Sequence, residues 1–206
     1  MDQTVRFYFS FRSPYAWLAA ERWQTELGAL DPRVERIPFY PTPETFPNDP
    51  SRYPAKLRYI VQDLGRLARE FGLMLRPPPA LDTDWKRAHA AYLGVQEAAP
   101  QRAEAFMLEM FRARFSRGQD VALVDVIREA AERADTDPDI AIQAAASPVL
   151  QEQVTESFVR GQQRDGIFGA PSFAYEGQLF WGHDRMHHLR RALLEGQAPR
   201  AAGVNG

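Results

Sequence analysis

A strand that runs directly into a helix near the beginning of the chain limits the possible folds more than any other feature. Within residues 5–18, VRFYFSFRSPYAWL, phenylalanines occupy alternate positions, as in a strand with one buried face (Phe7, Phe9 and Phe11). Ser13 and Pro14 follow this run. Serine is a favoured helix N-cap, and proline fits the first helical turn because its missing N–H needs no partner there. The pattern therefore predicts a strand followed by a helix that begins after Ser13.

Ser13 would then stand at the carboxyl edge of a sheet and at the positive end of a helix. Open α/β folds bind ligands at that edge, and the helix dipole favours an anion such as a thiolate. The sequence pattern leaves two interpretations of Ser13 open: it contacts a ligand, or it only caps the helix.

Apolar spacing along the rest of the chain predicts a helical block between two parts of an α/β unit. A strand is predicted at 34–40, and the segment after it, PTPETFPNDPSRYP, has too many prolines for a helix or a sheet ladder. Helices are predicted from 53 to 71 and in several further segments up to residue 164. The segment SFAYEGQLFW alternates around Glu176-Gly177, which predicts a hairpin, and a last helix follows Gly182.

This order of elements predicts a mixed α/β fold with an insertion. Residues 1–48 and 149–198 would form one domain, and residues 49–148 an inserted helical domain. Residues 199–206 are small or polar, and we expect them to be a disordered tail.

The composition narrows the classes of function. With 45% apolar and 25% charged residues and a net charge of −2, the chain is typical of globular proteins and gives no support for nucleic-acid binding. No basic region precedes an apolar run at the amino terminus, so a cytoplasmic protein is expected. The chain has no cysteine, which excludes dithiol exchange by the chain itself. Any thiol chemistry would need a thiol from another molecule.

The residues after the first predicted strand resemble a known active site. Ser13, Pro14, Tyr15 and Ala16 occupy the frame in which redox members of the thioredoxin superfamily carry Cys-Pro-x-Cys. The form SPYAWL resembles the kappa-class glutathione transferases and the related 2-hydroxychromene-2-carboxylate isomerases. The resemblance implies an α/β, thioredoxin-like fold with a helical domain inserted in the middle of the chain. It also implies glutathione as the cofactor, with the Ser13 hydroxyl on its sulfur.

A second motif, GIFGAPSF at residues 166–173, adds to this resemblance. Members of the thioredoxin superfamily place a cis-proline here, after a residue whose backbone N–H and C=O pair with an extended ligand. The resemblance therefore implies that Pro171 is cis and that Ala170 pairs with the cysteinyl backbone of glutathione. Taken alone, Pro171 could be an ordinary edge-strand proline.

Two further motifs correspond to the ends of glutathione. Kappa-class enzymes have a lysine in a segment like PAKLRYIVQDL, residues 54–64, and the resemblance implies that Lys56 binds the glycyl carboxylate. His183 and Asp184 stand at the start of the last predicted helix. They would bind the γ-glutamyl end, since helix N–H groups donate to a carboxylate and Asp184 can accept from an ammonium. The alternatives are that Lys56 is a solvated charge and that Asp184 caps the helix.

The chain also departs from the family pattern. Ser10 stands where the family usually has aspartate, and His183 replaces a serine or asparagine. The loop that has an Asn-x-Pro-Pro glutathione contact in the family is shortened here to PTPETFPND. Asn48 is therefore only a candidate for the residue that binds glutathione there. No metal site is expected, because the histidines near the end of the chain lack a suitably spaced acidic or cysteine partner.

Together these motifs predict a glutathione-dependent isomerase that acts on a conjugated keto acid derived from an aromatic compound. By resemblance it would be a homodimer without nucleic-acid or membrane partners. Two alternatives stay open: a kappa-like glutathione transferase or peroxidase that uses the same site, and a non-catalytic thioredoxin-like binding module.

Overall fold

A four-stranded mixed sheet organises the molecule, for which the computed structural model describes residues 4–47, 49–78, 80 and 82–197. Asn48 and the predicted tail, residues 199–206, lie outside the described residues. The strands are β1 (Val5–Phe9), β2 (Val34–Pro38), β3 (Ser172–Tyr175) and β4 (Gln178–Trp181), in the spatial order β2-β1-β3-β4. Strands β1 and β2 are parallel, whereas β3 is antiparallel to both β1 and β4.

The helices follow the predicted segments closely. They are α1 (Pro14–Leu27), α2 (Pro54–Glu70), α3 (Trp85–Ala98), α4 (Ala103–Phe115), α5 (Val124–Arg133), α6 (Pro138–Ala146), α7 (Pro148–Asp165) and α8 (Met186–Gln197). Helices α2 to α6 lie between β2 and α7 in the chain. The predicted fold class, thioredoxin-like with a helical insertion, is therefore confirmed. No helix in the described parts of the chain has the length and apolarity needed to span a membrane.

Three local features refine the prediction. Strand β1 stops at Phe9, because the next residues form a turn in which the Ser13 N–H donates to the Ser10 carbonyl at 2.9 Å. A short 3₁₀ turn, His183–Arg185, precedes α8, so the last α-helix begins later than predicted. The β3–β4 hairpin is confirmed, with Glu176 and Gly177 both at positive φ, as a two-residue type I′ turn requires.

The main core lies on the α1 side of the sheet and continues into the helical block. The Phe7 ring stacks on Phe173 of β3, with centroids 4.8 Å apart. The Phe9 ring meets Tyr92 of α3 edge-on at 5.1 Å, and Phe11 meets Phe111 of α4 at 4.9 Å. The alternating phenylalanines thus tie the sheet to both α3 and α4 through edge-to-face aromatic contacts.

The opposite face of the sheet is covered by α7. A smaller apolar cluster there includes Phe39 and Phe158, whose rings stack at 5.1 Å. At the carboxyl end of α7, Arg6 binds both carboxylate oxygens of Asp165 at 2.7 and 2.6 Å, and the Tyr8 hydroxyl donates to the same carboxylate at 2.5 Å. These charge-assisted bonds fix β1 against α7.

Candidate active site

Ser13 occupies the N-cap position of α1, as the sequence predicts. Its backbone is extended (φ −87°, ψ 114°), and its Oγ accepts a hydrogen bond from the Ala16 N–H at 3.2 Å. Pro14 follows in the first turn, which its fixed φ favours. The capping interpretation of Ser13 is therefore correct, but it does not use the hydroxyl hydrogen.

The hydroxyl hydrogen of Ser13 is donated to the loop that carries the proline motif. The Ser13 Oγ lies 2.9 Å from the Ala170 carbonyl oxygen, which can only accept. The Ala170–Pro171 peptide bond is cis, as the resemblance implies. The Pro171 carbonyl in turn accepts from the Gly182 N–H at 2.9 Å, which joins this loop to the segment before α8. The structure thus brings together Ser13, the proline motif and the start of the last helical segment.

His183 lies against the first turn of α1. Its ring is parallel to that of Tyr15, with centroids 5.5 Å apart, and the edge of Phe71 packs against it at 6.2 Å. The residue is only 8% exposed, and its Nδ1 has no hydrogen-bond partner among the described residues. Burial lowers the pKa of His183 from its ordinary value, and the opposing effect of the neighbouring Asp184 carboxylate does not cancel this shift. The ring is therefore neutral at neutral pH and has an unused polar atom.

Asp184 is exposed beside His183. Its carboxylate forms an ion pair with the neighbouring Arg185 at 2.8 Å. His183 and Asp184 line a cavity of about 260 Å³, together with Arg22 and Phe71 among others. The structure therefore places the two predicted γ-glutamyl contacts, His183 and Asp184, at the edge of one cavity; their role in binding stays a prediction.

Helix α2 is held to α1 by a polar contact. The Tyr15 hydroxyl donates to the Asp63 carboxylate at 3.0 Å. Burial raises the pKa of Tyr15, and this hydrogen bond raises it further, so the hydroxyl remains a donor at neutral pH. Lys56 lies two helical turns before Asp63 and therefore on the same side of α2.

Lys56 itself is exposed in the first turn of α2, with its ammonium 4.7 Å from the centre of the Tyr53 ring. It is thus about 10 Å along the helix from the Tyr15–Asp63 contact, at a rise of about 1.5 Å per residue. Its contact with glutathione stays a prediction. Asn48, the other candidate, is outside the described residues.

Sequence reasoning missed one polar residue next to this site. His89 of α3 is completely buried, and its Nε2 accepts from the Phe11 N–H at 2.9 Å. The only sequence signal was a histidine within an otherwise apolar stretch of the helix, AHAAYLGV at residues 88–95, which alone does not indicate a partner.

The fold and this site define the class of the protein. Residues 4–194 match the DSBA-like thioredoxin domain family, and the chain belongs to that family.

The similar proteins within this class are more specific. The chain is 30% identical to a 2-hydroxychromene-2-carboxylate isomerase from Sphingobium xenophagum, over 95% of this chain and 100% of that one. It also superposes on a solved structure of 2-hydroxychromene-2-carboxylate isomerase with a TM-score of 0.80, at 22% identity, covering 93% of this chain and 95% of that one. The resemblance predicted from the sequence is confirmed.

A third similar structure is the cytosolic disulfide reductase DsbM from Pseudomonas aeruginosa, solved with GSH. Its TM-score is 0.65 at 18% identity, covering 94% of this chain and 98% of that one. At this identity the likeness concerns the fold alone.

Proposed function

We propose that this protein is a glutathione-dependent isomerase of the 2-hydroxychromene-2-carboxylate isomerase type. The observation that carries the proposal is the position of the Ser13 hydroxyl, between the first turn of α1 and the Ala170 carbonyl. The 30% identity to an isomerase of this type, along nearly the whole chain, supports the reaction class. The absence of cysteine is consistent with a reaction that uses the thiol of another molecule.

The residues present fit glutathione. The Ala170 carbonyl accepts a hydrogen bond from Ser13, so the same oxygen can accept from the cysteinyl N–H of a bound peptide. His183, which lies against Tyr15 in the first turn of α1, also lines the neighbouring cavity. Lys56 carries a positive charge suited to the glycyl carboxylate, and Asp184 a negative charge suited to the γ-glutamyl ammonium.

Bound glutathione would supply a thiolate that adds reversibly to the conjugated double bond of a keto acid and leaves after rotation about that bond. With glutathione bound, the Ala170 carbonyl would accept from the cysteinyl N–H, and the Ser13 hydroxyl could turn from this carbonyl to donate to the sulfur. The N-terminus of α1 adds its positive dipole at the same position. Both effects favour the thiolate, whose ordinary thiol pKa of about 8.5 would leave it mostly protonated at neutral pH.

The proposal is tested by calorimetry with reduced glutathione, followed by an assay with 2-hydroxychromene-2-carboxylate in the presence and absence of the tripeptide. We expect saturable binding and a glutathione-dependent change in the ultraviolet spectrum of the substrate. Binding without turnover of this substrate, but with conjugation of an aromatic halide, would indicate the transferase instead. Binding without any turnover would indicate a binding module, and no binding would overturn every version that needs the thiol.

A further inference from the structure

A fully buried histidine lies directly behind the loop that carries Ser13. His89, in the first half of α3, has no exposed surface. The rings of Phe11 and Tyr40 surround it, with centroids at 5.0 and 6.2 Å. Burial of an imidazole in such surroundings is costly unless its nitrogens are hydrogen-bonded. Its hydrogen bonds therefore indicate what the ring does there.

Both ring nitrogens of His89 are used, and the partners fix the tautomer. The Nδ1 lies 2.6 Å from the Trp85 carbonyl oxygen, which can only accept, so Nδ1 carries the hydrogen. The Nε2 is then an acceptor. Its single lone pair accepts from the Phe11 N–H at 2.9 Å and is shared with the Ser10 hydroxyl at 3.1 Å. Burial lowers the pKa of His89 to about 4, so this neutral tautomer persists at neutral pH.

The two donors on His89 belong to the loop between β1 and α1. Within this loop, the Arg12 N–H faces the Ser10 Oγ at 3.4 Å, and the Ser13 N–H donates to the Ser10 carbonyl at 2.9 Å. The backbone N–H groups of residues 11, 12 and 13 are therefore all bound, either by His89 or by Ser10. His89 fixes Phe11 directly and reaches Ser13 through Ser10.

We propose that His89 is a positioning residue for Ser13: by holding Ser10 and Phe11 it sets the place of the Ser13 hydroxyl at the end of α1 and opposite the Ala170 carbonyl. This inference rests on the proposed function, in which that hydroxyl stabilises a thiolate. His89 does not contact Ser13 and takes no part in the reaction itself. Its side chain comes from the helical block, so the block supports the active-site loop as well as covering the core.

The test uses the thiol introduced by Ser13→Cys as a reporter of the position. Its pKa is measured from the ultraviolet absorbance of the thiolate against pH, in the full chain with His89 intact and with His89→Leu or His89→Gln added. The glutamine variant keeps an acceptor near the position of Nε2, whereas leucine has none. Phe158→Leu, on the far face of the sheet, is the control for a loss of packing unrelated to the loop.

With His89 intact, we expect the thiol pKa to lie below its ordinary value of about 8.5, as at other helix N-termini. His89→Leu should move it up towards that value, His89→Gln should largely restore it, and Phe158→Leu should leave it unchanged. Equal thiol pKa values in the Ser13→Cys protein with His89 intact and with His89→Leu would overturn the proposal.

If His89→Leu does not fold, Ser10→Ala takes its place, because it removes only the hydroxyl between His89 and the loop. A raised thiol pKa in this variant supports the proposal, and an unchanged one overturns it. The reporter thiol titrates without glutathione. A failure to bind glutathione would therefore reject the proposed function without affecting the outcome for His89.

Discussion

At the scale of single residues, the alanine variant of Ser13 can separate its observed role as a helix cap from its proposed contact with a thiolate. As the N-cap of α1, its loss should cost about 1 kcal/mol of unfolding free energy. If Ser13 also donates to a thiolate, its loss should raise the pKa of the bound glutathione thiol towards about 8.5 and lower turnover at neutral pH. The affinity for glutathione should stay nearly unchanged. The measurement is thiolate absorbance against pH with glutathione bound.

Ser147→Ala is the matched control for this experiment. Ser147 caps α7 in the same way, with its Oγ accepting from the Leu150 N–H at 3.4 Å, but it is followed by no ligand motif. It should lose a similar stability and leave the thiol pKa unaltered. Coincident titration curves for wild type and Ser13→Ala would leave Ser13 as a cap alone.

Lys56 and Asp184 are predicted to hold opposite ends of the tripeptide. Lys56→Ala and Asp184→Ala should each weaken glutathione binding by roughly 1–3 kcal/mol, the range for a lost charge-assisted hydrogen bond. Lys86→Ala is the control, since Lys86 is the other lysine of the chain and lies in α3. If calorimetry gives unchanged affinity for both variants, Lys56 is a solvated charge and Asp184 is only a partner of Arg185.

Only those residues of the site that lie in short sequence motifs could be predicted from the sequence. Ser13 and Pro171 lie in short motifs whose strand and helix context is visible in the chain. The hydrogen bond from the Phe11 N–H to His89 joins residues 78 positions apart. Its donor is a backbone N–H, which every residue except proline has, so the residue type at position 11 does not predict the bond. The Tyr15–Asp63 bond likewise depends on how α2 packs, which apolar spacing alone does not determine.

At the scale of elements, the Tyr15–Asp63 hydrogen bond links α1 to α2. Tyr15→Phe and Asp63→Asn should each destabilise the protein, and the double variant should lose less than their sum by about 1 kcal/mol, because both remove one bond. Chemical denaturation measures the cycle. Tyr59→Phe is the control, since Tyr59 is 57% exposed on the same helix. Strictly additive losses would show that this bond does not stabilise the packing of α2.

The positions of the helices could be predicted from the sequence, whereas the elements that each helix packs against could not. Paired signals such as Ser147-Pro148 mark a cap and a first turn, and the structure begins α7 there. The end of β1 was less predictable, since the alternation continues through Phe11 while the backbone turns at Ser10. Side-chain burial persists beyond the strand because Phe11 packs on the helical block.

At the scale of the whole molecule, buried His89 makes stability depend on pH. Its pKa is lowered from 6.5 to about 4 by burial. Between these values the unfolded chain binds more protons than the folded chain, so stability falls as the pH drops from about 6.5 towards 4. For one such group the total loss is on the order of 3 kcal/mol.

His89→Gln removes this titration and serves as the comparison. Unfolding free energies from denaturant titrations across that pH range should fall more steeply in the wild type than in the variant, with the curves converging towards acid pH. Parallel curves would mean that His89 is not held neutral in the folded protein. Buried His183 contributes to both chains alike and cancels in the difference.

The aromatic contacts of β1 also bear on whether the parts of the chain can fold alone. Phe9 and Phe11 are covered by Tyr92 and Phe111, which belong to the inserted helices. A chain shortened to the sheet and its flanking helices would expose these rings and leave the Phe11 amide without its acceptor. Insert and sheet therefore form a single cooperative unit: calorimetry should show one unfolding transition, with equal van't Hoff and calorimetric enthalpies. The helical block is therefore not a module that could be removed from this chain without exposing its core.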